Sequence, residues 1–399
     1  MEMRLFRHIA RLHVALQNMV FRPYFSYAFV FSNGISLRQS TMEKHVMAQS
    51  KQPSIALVLG GGAPNATLMA GALVALTEAG VKFDIISASG AGAIVGLLYA
   101  APRQGDALSA LSRLADMGVS DQIYSLFPVN YKVFNKPGPL ADAWRSLQSS
   151  NPFLQAIQQQ ADSSPLHRLF ADWTSLVLAA LCPSGLTPDS QGLCAHVPFI
   201  DQVVDFSKLQ SLAGEFYLNA YNVSRGEMCC WDKSEVTHEH FLAALSFPFI
   251  YPPYKLGDDY YIEGAAIDTL NFKRLFELHP HIDYTIVFDV LGSSKLLHPP
   301  RNLYDAWVQS IIAPLTEIAR DDLRLFEALH NRDENGRPRT QVLKIDFDAH
   351  IRQEGFREEL DWSYSNLARL YDAGYHAGQD TARRYARELG LKAPLQMTA

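Results

Sequence analysis

The sequence predicts an α/β fold in which a parallel-rich sheet is flanked by helices and carries a helical insertion. Two adjacent stretches and one late run support this expectation. First, the apolar run Ile55–Leu59 meets the glycine triplet Gly60-Gly61-Gly62, and an apolar-periodic stretch follows from Ala66 to Ala79. Next, the run Val81–Ser87 meets a corner of small residues, Ala88–Gly92, and passes into apolar sequence ending at Ala101. Strand, glycine loop, helix, strand, sharp turn and helix form the opening of a parallel sheet, whose strand-end loops carry chemistry. Late in the chain, Ile282–Leu291 (IDYTIVFDVL) is a further buried-strand pattern.

The remaining elements follow in order. Residues 1–50 are expected to form an extension, with Arg4, Arg7, Arg11, Arg22 and Arg38 set against the single acid Glu2 up to Thr41. Leu5, Ile9, Leu12, Leu16 and Val20 recur in it at helical spacing, which suits a presequence or an amphipathic membrane-seeking helix. The other expectation is that translation starts at Met42 or Met47. The α/β domain is expected over 51–399, with the helical insertion at about 103–212 and a helical C-terminal part at about 300–399. Within the insertion, Gln104–Met117, Leu140–Gln160 and Pro165–Leu181 have helical patterns. Glu215–Val223 and Glu227–Trp231 read as a hairpin about Ser224-Arg225-Gly226. Arg301–Leu329 has one apolar helical face interrupted by Pro314, so it is one kinked helix or two. Val342–Phe347 reads as the last strand and Asp361–Leu389 as a closing helix.

Composition narrows the functional classes. A net charge of −6 with no long basic run argues against a nucleic-acid surface. Cys182, Cys194, Cys229 and Cys230 lack metal-ligand spacing and read as free thiols of a reducing, cytoplasmic compartment. No metal or cofactor is expected. Gln52–Thr77 is free of charge, but the Gly60–Asn65 interruption leaves pieces too short to span a bilayer.

Chemistry is expected at the two corners. Glycines at 60, 61 and 62 leave backbone N–H groups uncovered at a helix start, a setting for an anion or oxyanion. Small residues from Ser87 to Gly92 suit an elbow that lifts one side chain clear of the sheet. An acid followed by small residues, Glu263-Gly264-Ala265, ends the apolar segment after Leu242. Nucleotide binding at the triplet is disfavoured, since no P-loop Lys-Ser/Thr follows it.

Ser54–Pro102 and Leu242–Phe272 resemble the patatin-like phospholipase family. That family has a glycine-rich oxyanion loop, a GxSxG elbow with the nucleophilic serine, and a later Asp-Gly-Gly or Asp-Gly-Ala bearing the base. The resemblance implies a patatin-like fold, lipid or acyl-ester substrates and contact with a membrane surface. Aligned on it, Gly90 takes the nucleophile position, Ala88 and Gly92 the flanking glycines, Glu263 the aspartate, and Pro64-Asn65 the usual Arg-Gly. Two expectations then stand side by side. In one, the nucleophile is Ser89, Glu263 is its base, and Gly61 and Gly62 hold the oxyanion of a metal-free acyl hydrolase. In the other, Gly90 marks a lost nucleophile, Ser89 is a turn serine, and the fold binds lipid or a protein partner. Asp268, His238 and His240 are secondary candidates for the base.

Overall fold

β1 (Ile55–Leu59) is buried along its whole length, and its neighbours show why. It lies at the centre of an eight-stranded sheet, parallel to β2 (Ile85–Ala88) on one side and to β7 (Tyr284–Phe288) on the other. Apolar side chains then face helices on both sides, and a continuous Ile-Ala-Leu-Val-Leu run is the sequence such a strand requires. The other strands are β3 (Glu215–Asn222), β4 (Glu227–Asp232), β5 (Tyr254–Leu256), β6 (Asp259–Glu263) and β8 (Gln341–Lys344). Their order is β5-β6-β3-β2-β1-β7-β8, with β4 paired to β3; β3–β4, β3–β6 and β5–β6 are antiparallel and the other pairings parallel.

This computed structural model describes residues 52–62, 65–196, 200–291, 297–351 and 361–391. The chain divides into residues 1–51 and 52–399, and the extension expected over 1–50 lies outside the described residues. The principal helices are α1 (Ala66–Glu78), α2 (Ala91–Ala100), α3 (Pro139–Ser149), α4 (Pro152–Gln159), α5 (Pro165–Leu181), α6 (His238–Ala244), α7 (Phe272–Leu278), α8 (Leu303–Leu325) and α9 (Tyr364–Arg384). The stretch expected to be helical over Leu140–Gln160 breaks into α3 and α4 at Asn151, whose side chain accepts from the Phe153 and Leu154 N–H groups ahead of Pro152. α8 runs through Pro314 as one helix.

Side-chain alternation along the strands sorts the core into two sets. Ile55, Leu57, Leu59, Ile86, Ala88, Phe216, Leu218, Ile286 and Phe288 join one cluster with α1, α2 and α9. Ala56, Val58, Ile85, Tyr217 and Val287 join the other, with Phe272, Phe276 and Phe326 stacked against it. The period of two thus divides helix from helix across the sheet.

α1 is buried on every side from Ala66 to Leu76, as befits a helix that is apolar all round. It lies between the sheet and α9, and glycines set the spacing. A Cβ on Gly71 would stand 2.0 Å from the Tyr371 carbonyl oxygen, and one on Gly374 2.0 Å from that of Leu68. Because backbone is the obstacle, a side chain here must push the helices apart. Gly374→Val is expected to cost about 3 kcal/mol, read by urea unfolding.

Candidate functional site

Gly90 is the residue between β2 and α2, and it has φ 50° and ψ −128°. This conformation is strained for any residue with a Cβ and is how a nucleophile elbow lifts its side chain from the sheet. The elbow geometry is therefore at Gly90, where no side chain exists. An ideal Cβ there would lie 2.2 Å from Glu263 Oε1 and 2.7 Å from the Ala265 Cβ. The carboxyl group of Glu263 fills the space a side chain at 90 would take.

Ser89, expected as nucleophile, points elsewhere. It is fully buried, and its hydroxyl donates to the Asp268 carbonyl at 3.0 Å. Strand alternation is the cause: Ser87, two residues earlier, sends its hydroxyl to the Asn271 carbonyl at 3.0 Å. The two serines fasten the 268–271 loop beneath the elbow, and Asn219 Nδ2 adds a third bond at 3.0 Å to the Asp268 carbonyl. The structure does not bring Ser89 Oγ to Glu263. Ser89→Ala is expected to lower stability by about 1 kcal/mol, the worth of one buried hydrogen bond, and to leave the cavity chemistry intact. A thermal melt beside an acyl-probe titration checks both halves.

Register carries Glu263 to the elbow. Ala88 ends β2 opposite Leu218, and Glu263 ends β6 opposite Ala220, two residues further along β3. The Glu263 N–H donates to the Ser246 carbonyl at 3.0 Å. Its residue is 8% exposed, and that small exposure opens into a cavity of about 180 Å³. Among the described residues, no group hydrogen-bonds its carboxyl. Apolar walls, including Leu245, Phe247, Leu291 and Ile312, deny the ionised form its water, and burial pushes the Glu263 carboxyl up to about 8. At neutral pH it is mostly a neutral acid, a poor general base for an adjacent alcohol.

The same cavity is lined by Gly62, Asn65 and Ala91. Gly60 donates its N–H to the Phe288 carbonyl at 3.1 Å, which removes it from the set of free donors. Among the described residues, the N–H groups of Gly61, Gly62 and Ala91 have no carbonyl partner. Asn65 is 5% exposed and caps no helix N–H with its side chain. Sequence reasoning named Asn65 only as a departure from the family pattern. It missed Trp307 and Trp362, which wall the cavity from α8 and from two residues before the start of α9. Phe249, at φ 74°, stands 5.7 Å from Trp307 between ring centroids, and strain in so bulky a residue marks a constrained segment.

The secondary candidates lie apart from this cavity. Asp268 Oδ1 accepts from the Asn271 N–H at 2.8 Å, and its charge helps burial raise the Asp322 carboxyl to about 7. His240 Nδ1 is 2.8 Å from Thr237 Oγ1, and its ring packs edge-on to Trp231. His238, two residues earlier at the start of α6, tilts against Phe206. A serine–histidine pair does exist, with His196 Nε2 at 2.8 Å from Ser246 Oγ. Ser246 is fully buried, however, and its hydroxyl also reaches the Leu242 carbonyl at 2.8 Å. Burial lifts the thiols of Cys194 to about 11 and Cys230 to about 12, far from reactive thiolates.

A strained strand-to-helix corner facing a glycine loop across a mixed sheet is the architecture of serine acyl hydrolases. The sequence matches the patatin-like phospholipase family over residues 57–276, a span that includes both corners and Glu263. The chain belongs to that family. No curated protein matches it. A solved structure similar to it is that of VipD from Legionella pneumophila, with 12% identity and a TM-score of 0.37. That similarity covers 83% of this chain and 66% of the VipD chain, so this protein spans about two thirds of its length. No helix among the described residues is long and apolar enough to cross a membrane.

Proposed function

We propose that this protein is a patatin-fold acyl-chain binder that does not hydrolyse esters through a serine. One observation supports this reading above the others: the elbow conformation is kept at Gly90, with the Glu263 carboxyl where the nucleophile's side chain would stand. The alternative of a Ser89–Glu263 pair requires the serine to leave its bond to the Asp268 carbonyl and cross to the opposite side of β2. The cavity itself suits an acyl chain. Its walls are almost wholly aliphatic and aromatic, with few polar side chains, Asn65 and Glu263 among them, as in sites that take a chain by its tail and a head group by hydrogen bonds.

The test has two arms. A long-chain fluorophosphonate is incubated with the protein and adducts are mapped by mass spectrometry, beside a p-nitrophenyl ester assay. The expected result is no adduct and hydrolysis at the blank rate. In parallel, a fluorescent polyene fatty acid is titrated, with energy transfer from Trp307 and Trp362 as the signal; saturable binding is expected. An adduct on Ser89 or Ser246 with matching turnover restores the hydrolase, and absence of any acyl binding removes the binder.

A further inference from the structure

The head group that the cavity accepts is set where the Glu263 carboxyl and two helix starts meet. α1 and α2 both start there, and both helices are long enough for their aligned dipoles to favour negative charge. The N–H groups of Gly62 and Ala91 have no carbonyl partner among the described residues. Opposite them, Glu263 is more than nine-tenths buried and turns an unpartnered carboxyl into the same space. Among the described lining residues there is no lysine, arginine or histidine.

Such a set discriminates between head groups. A phosphate carries up to two charges, and without a cation its desolvation is uncompensated. An ester or alcohol oxygen accepts from one or two donors but leaves the helix-start field unanswered. A carboxylate matches the whole set, with one oxygen for the backbone N–H groups and the other for the O–H of a neutral glutamic acid. Two carboxyl groups in contact cannot both ionise, but a pair that shares one proton carries a single negative charge.

We propose, on the basis of the acyl-binding reading, that the cavity selects free long-chain carboxylic acids and holds the ligand carboxylate against protonated Glu263 through one shared proton. No bond is made or broken in this step. The ligand enters as its anion, and Glu263 keeps its proton or, above its own titration, takes one from solvent. Burial alone sets that titration near 8 before ligand binds. The titratable groups facing Glu263 are few. Tyr251, from the segment after Ser246, feels its charge and that of Cys194. The described lining residues of the glycine loop, α2, α8 and Trp362 contribute none.

The test titrates palmitate and methyl palmitate into the full chain at pH 7 and pH 9, with wild type, Glu263→Gln and Glu263→Met, each first shown folded by circular dichroism. Palmitate is already ionised across this range, so its own titration contributes nothing. For wild type, palmitate is expected to bind at least tenfold tighter than its ester at pH 7 and about tenfold more weakly at pH 9 than at pH 7, because a group titrating near 8 changes its protonated fraction by that factor. Calorimetry at pH 8.5 in buffers of different ionisation enthalpy should show uptake of about 0.8 proton, the fraction of Glu263 that is ionised there before ligand binds. Glu263→Gln keeps a donor and cannot titrate, so its palmitate affinity should be level between the two pH values, with no proton uptake. Glu263→Met should lose the preference for acid over ester. Equal binding of acid and ester by wild type, a level wild-type pH profile, or a Gln variant with the wild-type slope each overturns the proposal while leaving acyl binding standing. If neither palmitate nor its ester binds, the acyl-binding reading itself fails.

Discussion

Replacing Glu263 with glutamine is expected to stabilise the protein, and by more as the pH rises. The wild-type carboxyl titrates near 8 in the fold, against 4.5 for an ordinary glutamate. Below 4.5 both folded and unfolded chains hold the proton, so the residue makes no pH-dependent difference. Between 4.5 and about 8 the unfolded chain releases the proton while the fold retains it, and stability falls by about 1.4 kcal/mol per pH unit. Above 8 the loss is complete and stays constant. Glutamine has the same shape and no such loss. Melting temperatures of the two proteins should therefore agree near pH 4.5 and separate steadily up to pH 8.5, with the variant higher. A gap that does not grow with pH means that Glu263 is not held as a neutral acid.

The second large effect concerns the elbow. Gly90→Ser alone is expected to destabilise the fold and gain no hydrolysis, because the new Cβ meets Glu263 Oε1 at 2.2 Å and the backbone is strained for a side chain. Adding Glu263→Asp draws the carboxyl back by one methylene, and Ala265→Gly removes the Cβ that would lie 2.7 Å away. The triple variant places a hydroxyl at the lifted position, an acid behind it and free N–H donors in front. Ester hydrolysis should rise at least about 10²-fold above the single variant, within the range a positioned base and oxyanion donors supply. The pH profile of that gain should follow the ionised aspartate. A triple variant that folds and binds acyl chains yet stays at the blank rate would show that the elbow no longer faces the oxyanion donors.

Much of the scaffold was legible because its signals are local. Ile55–Leu59 and the triplet after it could only be a buried strand entering a tight loop, and α1 follows from eleven consecutive residues, Ala66 to Leu76, that tolerate burial. Ser164-Pro165 and Asn302 mark helix starts by side-chain caps written in the sequence. Asn151-Pro152 was an equally good signal, and the break between α3 and α4 follows from it. The β5–β6 hairpin was also available in Gly257-Asp258, a two-residue turn with glycine at φ 62°. The site was less legible, because it depends on a parity and a register. Whether residue 89 or residue 90 faces the cavity is a question of which side of β2 each falls on, and Ser87 and Ser89 settle it together by bonding the same loop. Glu263 had the sequence surroundings of a strand end. Only the alignment of β6 against β3 reveals that this end is capped by α2, α8 and the glycine loop rather than by water. Trp307 and Trp362 come from far down the chain, and nothing near them in sequence refers to the cavity they enclose.

The glycine contact between α1 and α9 bears on how the protein is made. α1, whose N-cap residue Asn65 lines the cavity, leaves the ribosome about 300 residues before the helix that covers it. Until Tyr364–Arg384 emerges, the outer face of α1 is bare apolar surface. The nascent chain must therefore be shielded through most of its synthesis, and docking of the last helix is the event that commits it to the native state. Chains truncated before Tyr364 should consequently be recovered as aggregates or chaperone complexes, however complete their cavity residues are.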